Sequence, residues 1–185
     1  MTTTDPTDAP PAPAGEAPGR GVLTWRVVGV MALLAIALFW LWIFSGAARK
    51  QNPDFLSDRA WVEDAEVTCA ATMATIDDRA APAGRQDQAT RADAIDASTE
   101  DLRVMLADLG SPGPDDADDR ALVDQWLSDW DQLLVDRSTY ADAIRVNPDA
   151  QFFTTEKFSD PLDKVIEVFA DVNDMPSCGP AGDVG

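Results

Sequence analysis

Histidine is missing from all 185 residues of this chain. A Ser-His-Asp triad and a Cys-His dyad therefore cannot be built. His-ligated zinc, copper and haem sites are excluded, as is the Glu-x-x-His pattern of di-iron helical bundles. Basic residues are scarce, with 14 Lys and Arg against 33 Asp and Glu. Arg20, Arg26, Arg49 and Lys50 precede Gln51, as do only three acids (Asp5, Asp8, Glu16), so the remainder carries 30 acids against 10 bases, a formal charge of −20. Such a surface repels phosphate backbones, so a nucleic-acid partner is not expected. It also repels anionic headgroups and keeps a domain soluble. No P-loop, dinucleotide-binding glycine pattern or G-x-S-x-G elbow occurs, so no cofactor is implied.

What is present falls into three regimes. Residues 1–20 are rich in Thr, Pro, Ala and Gly and poor in large apolar groups, which predicts a disordered tail. Val27 to Phe44 (VVGVMALLAIALFWLWIF) is then eighteen residues without a charge. At ~1.5 Å per residue, a helix over 21–46 crosses a hydrocarbon core of roughly 30 Å. Trp25 at one end and Trp40 and Trp42 near the other match interfacial aromatic belts. Ser45-Gly46-Ala47 offers small residues for signal cleavage. The run nevertheless exceeds the usual ~7–15 residue core of a signal peptide and ends in bulky aromatics, which favours an uncleaved anchor in the lipid bilayer.

Orientation rests on two opposed signals. Arg20 and Arg26 on one side nearly balance Arg49, Lys50 and Arg59 on the other. Cys69 and Cys178, the only cysteines, suit a long-range disulfide in an oxidising compartment. Redox catalysis would call for a close C-x-x-C pair, absent here. The reading adopted is a cytoplasmic N-terminus and an extracytoplasmic acidic domain over 53–180.

Within that domain the pattern is all-α: a four-helix, mostly up-and-down bundle following the single transmembrane helix. Phe55, Val62, Ala65, Cys69, Met73 and Ile76 recur at helical steps from Pro53 to about Ala81, where Pro82-Ala83-Gly84 breaks the pattern. Ile95, Leu102, Met105, Leu106 and Leu109 line one side of a second helix, from Gln86 to Leu109. Asp115, Asp116, Asp118 and Asp119 open a third, where negative charge complements the helix dipole. This cluster lacks the alternating spacing and central Gly of a calcium loop, and no metal site is assigned. Asn147-Pro148 stops that helix. Ser159-Asp160-Pro161 reads as cap and first turn of a fourth, with Leu162, Val165, Ile166, Phe169 and Val172 on its apolar face. Gln151 to Phe158 reads as a loop tucking Phe152, Phe153 or Phe158 against the bundle, since a strand would have no partner.

The third helix holds the sharpest puzzle, DQWLSDWDQLLVDRSTYADAI (124–144). On a wheel at ~100° per residue, Trp126, Trp130, Leu133, Tyr140 and Ile144 share the apolar arc, and Arg137 falls in its middle. The aromatics satisfy a core pattern by themselves. A buried guanidinium, however, needs a partner. Glu66, within the apolar arc of the first helix, is the expected partner in a structural ion pair, with Trp130 stacking on the guanidinium. Snorkelling to the bundle edge is the alternative. The functional version is a pocket of Trp126, Trp130, Arg137 and Tyr140 that binds an anionic sugar or peptide carboxylate.

This layout resembles that of uncharacterised actinobacterial single-pass membrane proteins with a short cytoplasmic tail and an exported helical domain. The resemblance covers architecture and composition and carries over no site. The expected function is a membrane-anchored, non-enzymatic interaction or scaffold domain of the cell envelope, its partner an unidentified envelope protein or ligand. A ligand-binding domain using the Trp126/Trp130/Arg137 face is the alternative. An envelope hydrolase working through paired carboxylates ranks third.

Overall fold

A computed structural model describes residues 20–44, 52–80 and 87–184. Residues 1–19, the small-residue stretch Ser45-Gly46-Ala47 and the break at Pro82-Ala83-Gly84 lie outside the described residues. The chain divides into two units, Met1–Ala48 and Arg49–Gly185. The first contains helix α1, Arg20–Phe44. From Trp25 to Phe44 it is long and apolar enough to cross a membrane, with Arg26 its one charge. Trp40 stacks on Phe44 at 5.7 Å between ring centroids.

The second unit is the expected bundle: α2 (Arg59–Ala80), α3 (Gln88–Gly110), α4 (Ala117–Val146) and α5 (Leu162–Val172). Each packs on its neighbour in sequence, α2 on α3, α3 on α4 and α4 on α5. Side-chain caps fix several helix starts. Asp87 accepts from the Thr90 amide at 3.0 Å to open α3, and Asp116 accepts from the Asp118 and Asp119 amides to open α4. The helix expected from Pro53 begins at Arg59 instead. Asp58 accepts from the Trp61 amide at 3.1 Å and sets the boundary there, leaving 53–58 as an entry segment whose Leu56 is fully buried.

The segment before α5 departs from expectation. Glu156–Lys157 pairs antiparallel with Asp160–Pro161 to make a minimal hairpin, so the missing partner strand lies only three residues downstream. Ser159 is not a helix cap. It sits with Phe158 in the left-handed region, at φ 70° and 55°, turning the hairpin. The cap position falls to Pro161, which has no side-chain cap bond. Phe152 packs against the bundle, whereas Phe153 and Phe158 stand exposed.

The helices are unequal in length, and the shortfall of the last one divides the core. Thirty-residue α4 extends ~45 Å, while eleven-residue α5 covers ~16 Å of it. The larger core cluster lies where α5 is present and joins Val62, Cys69, Leu102, Met105, Trp126, Trp130, Ile166 and Phe169. Beyond the reach of α5, a smaller cluster of Ala92, Ile95, Tyr140, Ala141 and Ile144 is closed by Val184 and Phe152. The tail after α5, including a 3-10 turn at Pro176–Cys178, thus covers what a longer fourth helix would have covered.

Candidate functional site

The residues singled out on α4 are core. Trp126, Trp130, Arg137 and Tyr140 are all buried, Trp130 completely. Trp126 meets Trp130 edge-on, with ring centroids 6.3 Å apart, and stacks on Phe169 at 5.3 Å. Its indole N–H donates to the Ile166 carbonyl at 3.3 Å. The Trp130 indole nitrogen has no hydrogen-bond partner among the described residues. Tyr140 leans on Phe152 and lies under the Arg91 guanidinium. Trp126 and Arg137 line different depressions.

Arg137 does not pair with Glu66. Its Nη1 and Nη2 donate to the two carboxylate oxygens of Asp183 at 2.8 and 2.9 Å. Nη2 also donates to Ser98 Oγ at 2.7 Å, and Nε to Thr99 Oγ1 at 3.1 Å. Ser98 in turn donates to Asp183 at 2.6 Å. Burial pushes the Asp183 carboxyl up, but the hydrogen bonds and charge of Arg137, helped by Ser98, outweigh burial and hold it below the ordinary carboxylate value. Glu66 instead accepts from the amide and hydroxyl of Ser177 at 3.0 and 2.6 Å. Both charges expected to pair across helices bind the tail instead, for the tail lies between the elements that carry them.

Cys69 and Cys178 form the expected disulfide. It is buried, and with the Glu66 and Arg137 contacts it fastens the tail at three successive points, residues 177, 178 and 183. A depression of about 490 Å³ beside the tail is lined by Arg137, Phe152, Asp163 and Glu167 among others. An anion entering it would have to displace Asp183 from a guanidinium already engaged by three side chains, so Arg137 is a poor ligand anchor there.

The acids that open α4 also have structural partners. Asp119 reaches across to the entry of α2, accepting from the Ser57 amide at 2.9 Å, the Ser57 hydroxyl at 2.9 Å and the Asp58 amide at 2.8 Å. Asp58 returns the contact by accepting from the Asp115 amide at 3.2 Å. Among the described residues no group of three or more acidic or cysteine side chains is placed to hold a metal ion.

Comparison with known proteins gives no match: no family model, no curated protein and no solved structure aligns with this chain.

The open feature lies elsewhere, on the outer side of the α4–α5 contact. A groove of about 510 Å³ is floored by Trp126 and Phe169, walled by Leu122, Val165 and Val168, and overhung by Phe158 from the hairpin tip. Its lining is mostly apolar. Lys157 crosses its edge to chelate Asp129, Nζ lying 2.7 and 2.6 Å from the two oxygens, and passes within 5.5 Å of the Phe158 ring. Of the expected site residues only Trp126 borders it. Sequence reasoning missed the groove because Phe158 reads as a residue to be tucked away, whereas the left-handed turn projects it outward with 86% of its surface exposed.

Proposed function

We propose that this chain is a membrane-anchored, non-enzymatic interaction domain of the cell envelope. Residues 21–46 would hold it in the bilayer, with the N-terminus cytoplasmic and the acidic domain outside. The contrast between two surfaces carries this reading. The depression beside Arg137 presents a guanidinium already engaged by the protein's own Asp183, Ser98 and Thr99, while the Trp126-floored groove of similar volume is mostly apolar and opens beside an exposed phenylalanine. A filled core with apolar surface exposed elsewhere is what a docking domain presents. The Cys69–Cys178 bond supports an oxidising compartment and so the extracytoplasmic side, where the flanking charges alone do not decide.

Two experiments test it. Thiol labelling in intact cells should modify neither cysteine without reductant and both after a permeant reductant and denaturation. Ready labelling without reductant, or labelling confined to permeabilised cells, would overturn the placement. A photo-crosslinking residue in place of Phe158 should give a discrete adduct in cells that disappears with Val168→Glu. Absence of any groove-dependent adduct would count against an interaction role.

A further inference from the structure

We propose that the α4–α5 groove takes a cationic segment of a partner protein, one that seats bulky apolar side chains over Trp126 and brings Lys or Arg to the rim. This rests on the interaction reading above and specifies its partner by chemistry. The first argument is the apolar floor. Trp126 and Phe169 stack face to face beneath an opening walled by valines, and a cavity of about 510 Å³ admits two or three large side chains.

The second argument is the charge balance at the rim. Asp54, Asp129, Asp160, Lys157 and Lys164 line the groove. Both cations are already engaged: Lys157 with Asp129 at 2.6 Å, and Lys164 with Glu167 at 2.8 Å. The carboxylates of Asp54 and Asp160 have no ion-pair or hydrogen-bond partner among the described residues. The rim thus offers two open negative charges and no open positive one, on a domain whose 30 acids outnumber its bases threefold. That field steers cations in and keeps anions out. It also argues against a second copy as the occupant, because each copy would bring the same charge to the same rim.

The test uses the full chain in phosphatidylcholine nanodiscs and three fluorescein-labelled 14-residue peptides. They share a Leu-Phe-Leu centre and differ only in Lys, Gln or Glu flanks. Fluorescence anisotropy should show the Lys-flanked peptide binding tightest and the Glu-flanked one not at all. Val168→Glu and, independently, Phe158→Ser should each weaken the Lys-flanked peptide by at least about tenfold, and the Asp54→Asn/Asp160→Asn pair by about three- to tenfold. Phe158 and Val168 are exposed enough for both variants to fold. Equal binding to wild type and to both groove variants would reduce the effect to long-range attraction by the acidic surface and overturn the proposal. So would equal binding of the three peptides. Self-association in sedimentation, lost with Phe158→Ser, would make a second copy the occupant instead. If a groove-dependent adduct still forms in cells while the Lys-flanked peptide shows no preference, the interaction role survives and the cationic partner does not.

Discussion

Arg137 on α4 and Asp183 in the tail after α5 face each other as a fork and a carboxylate, joined by parallel hydrogen bonds of 2.8 and 2.9 Å, with Arg137 1% exposed. The pair makes the tail a structural element. Without Asp183, Arg137 would be a buried cation on an apolar face with two hydroxyl acceptors. Breaking such a pair from one side costs about 3–5 kcal/mol, because the orphaned charge stays buried. Arg137→Met, Asp183→Leu and Asp183→Asn should therefore each lower the urea midpoint strongly. The double variant Arg137→Met/Asp183→Leu should recover part of the loss, since an apolar replacement of both partners leaves no orphan. Additive losses in that cycle would show that the two residues do not act as a pair.

The same pair sets an acid response whose sign is fixed. Asp183 titrates below its unfolded value of ~3.9. Its contribution is therefore complete above that value and is lost as pH falls through the lowered folded value. Wild type should lose stability between about pH 5 and the acid limit, and Asp183→Asn should lack that component. In Arg137→Met burial is opposed only by the Ser98 and backbone hydrogen bonds, so the acid-linked loss contributed by Asp183 should shrink. Urea midpoints followed by circular dichroism from pH 7 to 3 distinguish the three curves.

Cys69 and Cys178 close a loop of 109 residues. In the chain-entropy account a cross-link of that span contributes roughly 4–5 kcal/mol, mainly by restricting the unfolded chain. Cys69→Ser/Cys178→Ser should lose about that much. Hydrogen exchange should show the tail losing protection first, since only the Ser177 and Asp183 contacts and the packing of Met175, Ala181 and Val184 would then hold it. Unchanged protection across 176–184 would mean that those contacts suffice.

Asp119 places a carboxylate of one helix at the entry of another. Asp119→Ala leaves the Ser57 and Asp58 amides without their acceptor, at about 1–3 kcal/mol for part-buried donors that water reaches incompletely. Asp119→Asn keeps one acceptor oxygen and should lose less. Exchange rates at Ser57 and Asp58 report the effect directly, and equal rates in wild type and Asp119→Ala would refute it.

How far the sequence reveals this molecule depends on which forces leave periodic marks. The apolar run of α1, the buried faces of α2 to α4 and the cysteine pair were legible, because burial repeats every three or four residues and disulfides need only two sulfurs. Trp126, Trp130 and Tyr140 were legible as core for the same reason. Arg137 was recognisable as needing a partner, yet the partner was not. Helical wheels compare helices, whereas Asp183 lies in Gly179-Pro-Ala-Gly-Asp-Val, a stretch without period. The available signal was that Cys178 ties this stretch to α2, bringing the nearby acid within reach of the bundle. The hairpin was hidden differently: its turn places Phe158 and Ser159 at positive φ, where Gly or Asn would have announced it.

Asn173 links the fold to the groove and allows a prediction that spans both. It is completely buried at the end of α5. Its Oδ1 accepts from the Leu56 amide at 2.8 Å, and its Nδ2 donates to the carbonyls of Asp54 and Phe169 at 2.9 and 3.0 Å. The side chain thus fastens the entry segment of α2 to α5, and Asp54 and Phe169 are both groove residues. Asn173→Asp cannot donate to either carbonyl and would set a carboxylate against two partial negative charges. It should cost more than Asn173→Ala, which forfeits the bonds without adding repulsion, at about 1–3 kcal/mol for the Leu56 donor left unsatisfied. Because Asp54 loses its tether in both variants, the preference of the groove for a Lys-flanked peptide should narrow even under conditions where the fold persists. Exchange at Leu56 and peptide anisotropy should move together across the two variants. Loss of protection with the peptide preference unchanged would separate Asn173's structural role from the groove and remove Asp54 from the recognition surface.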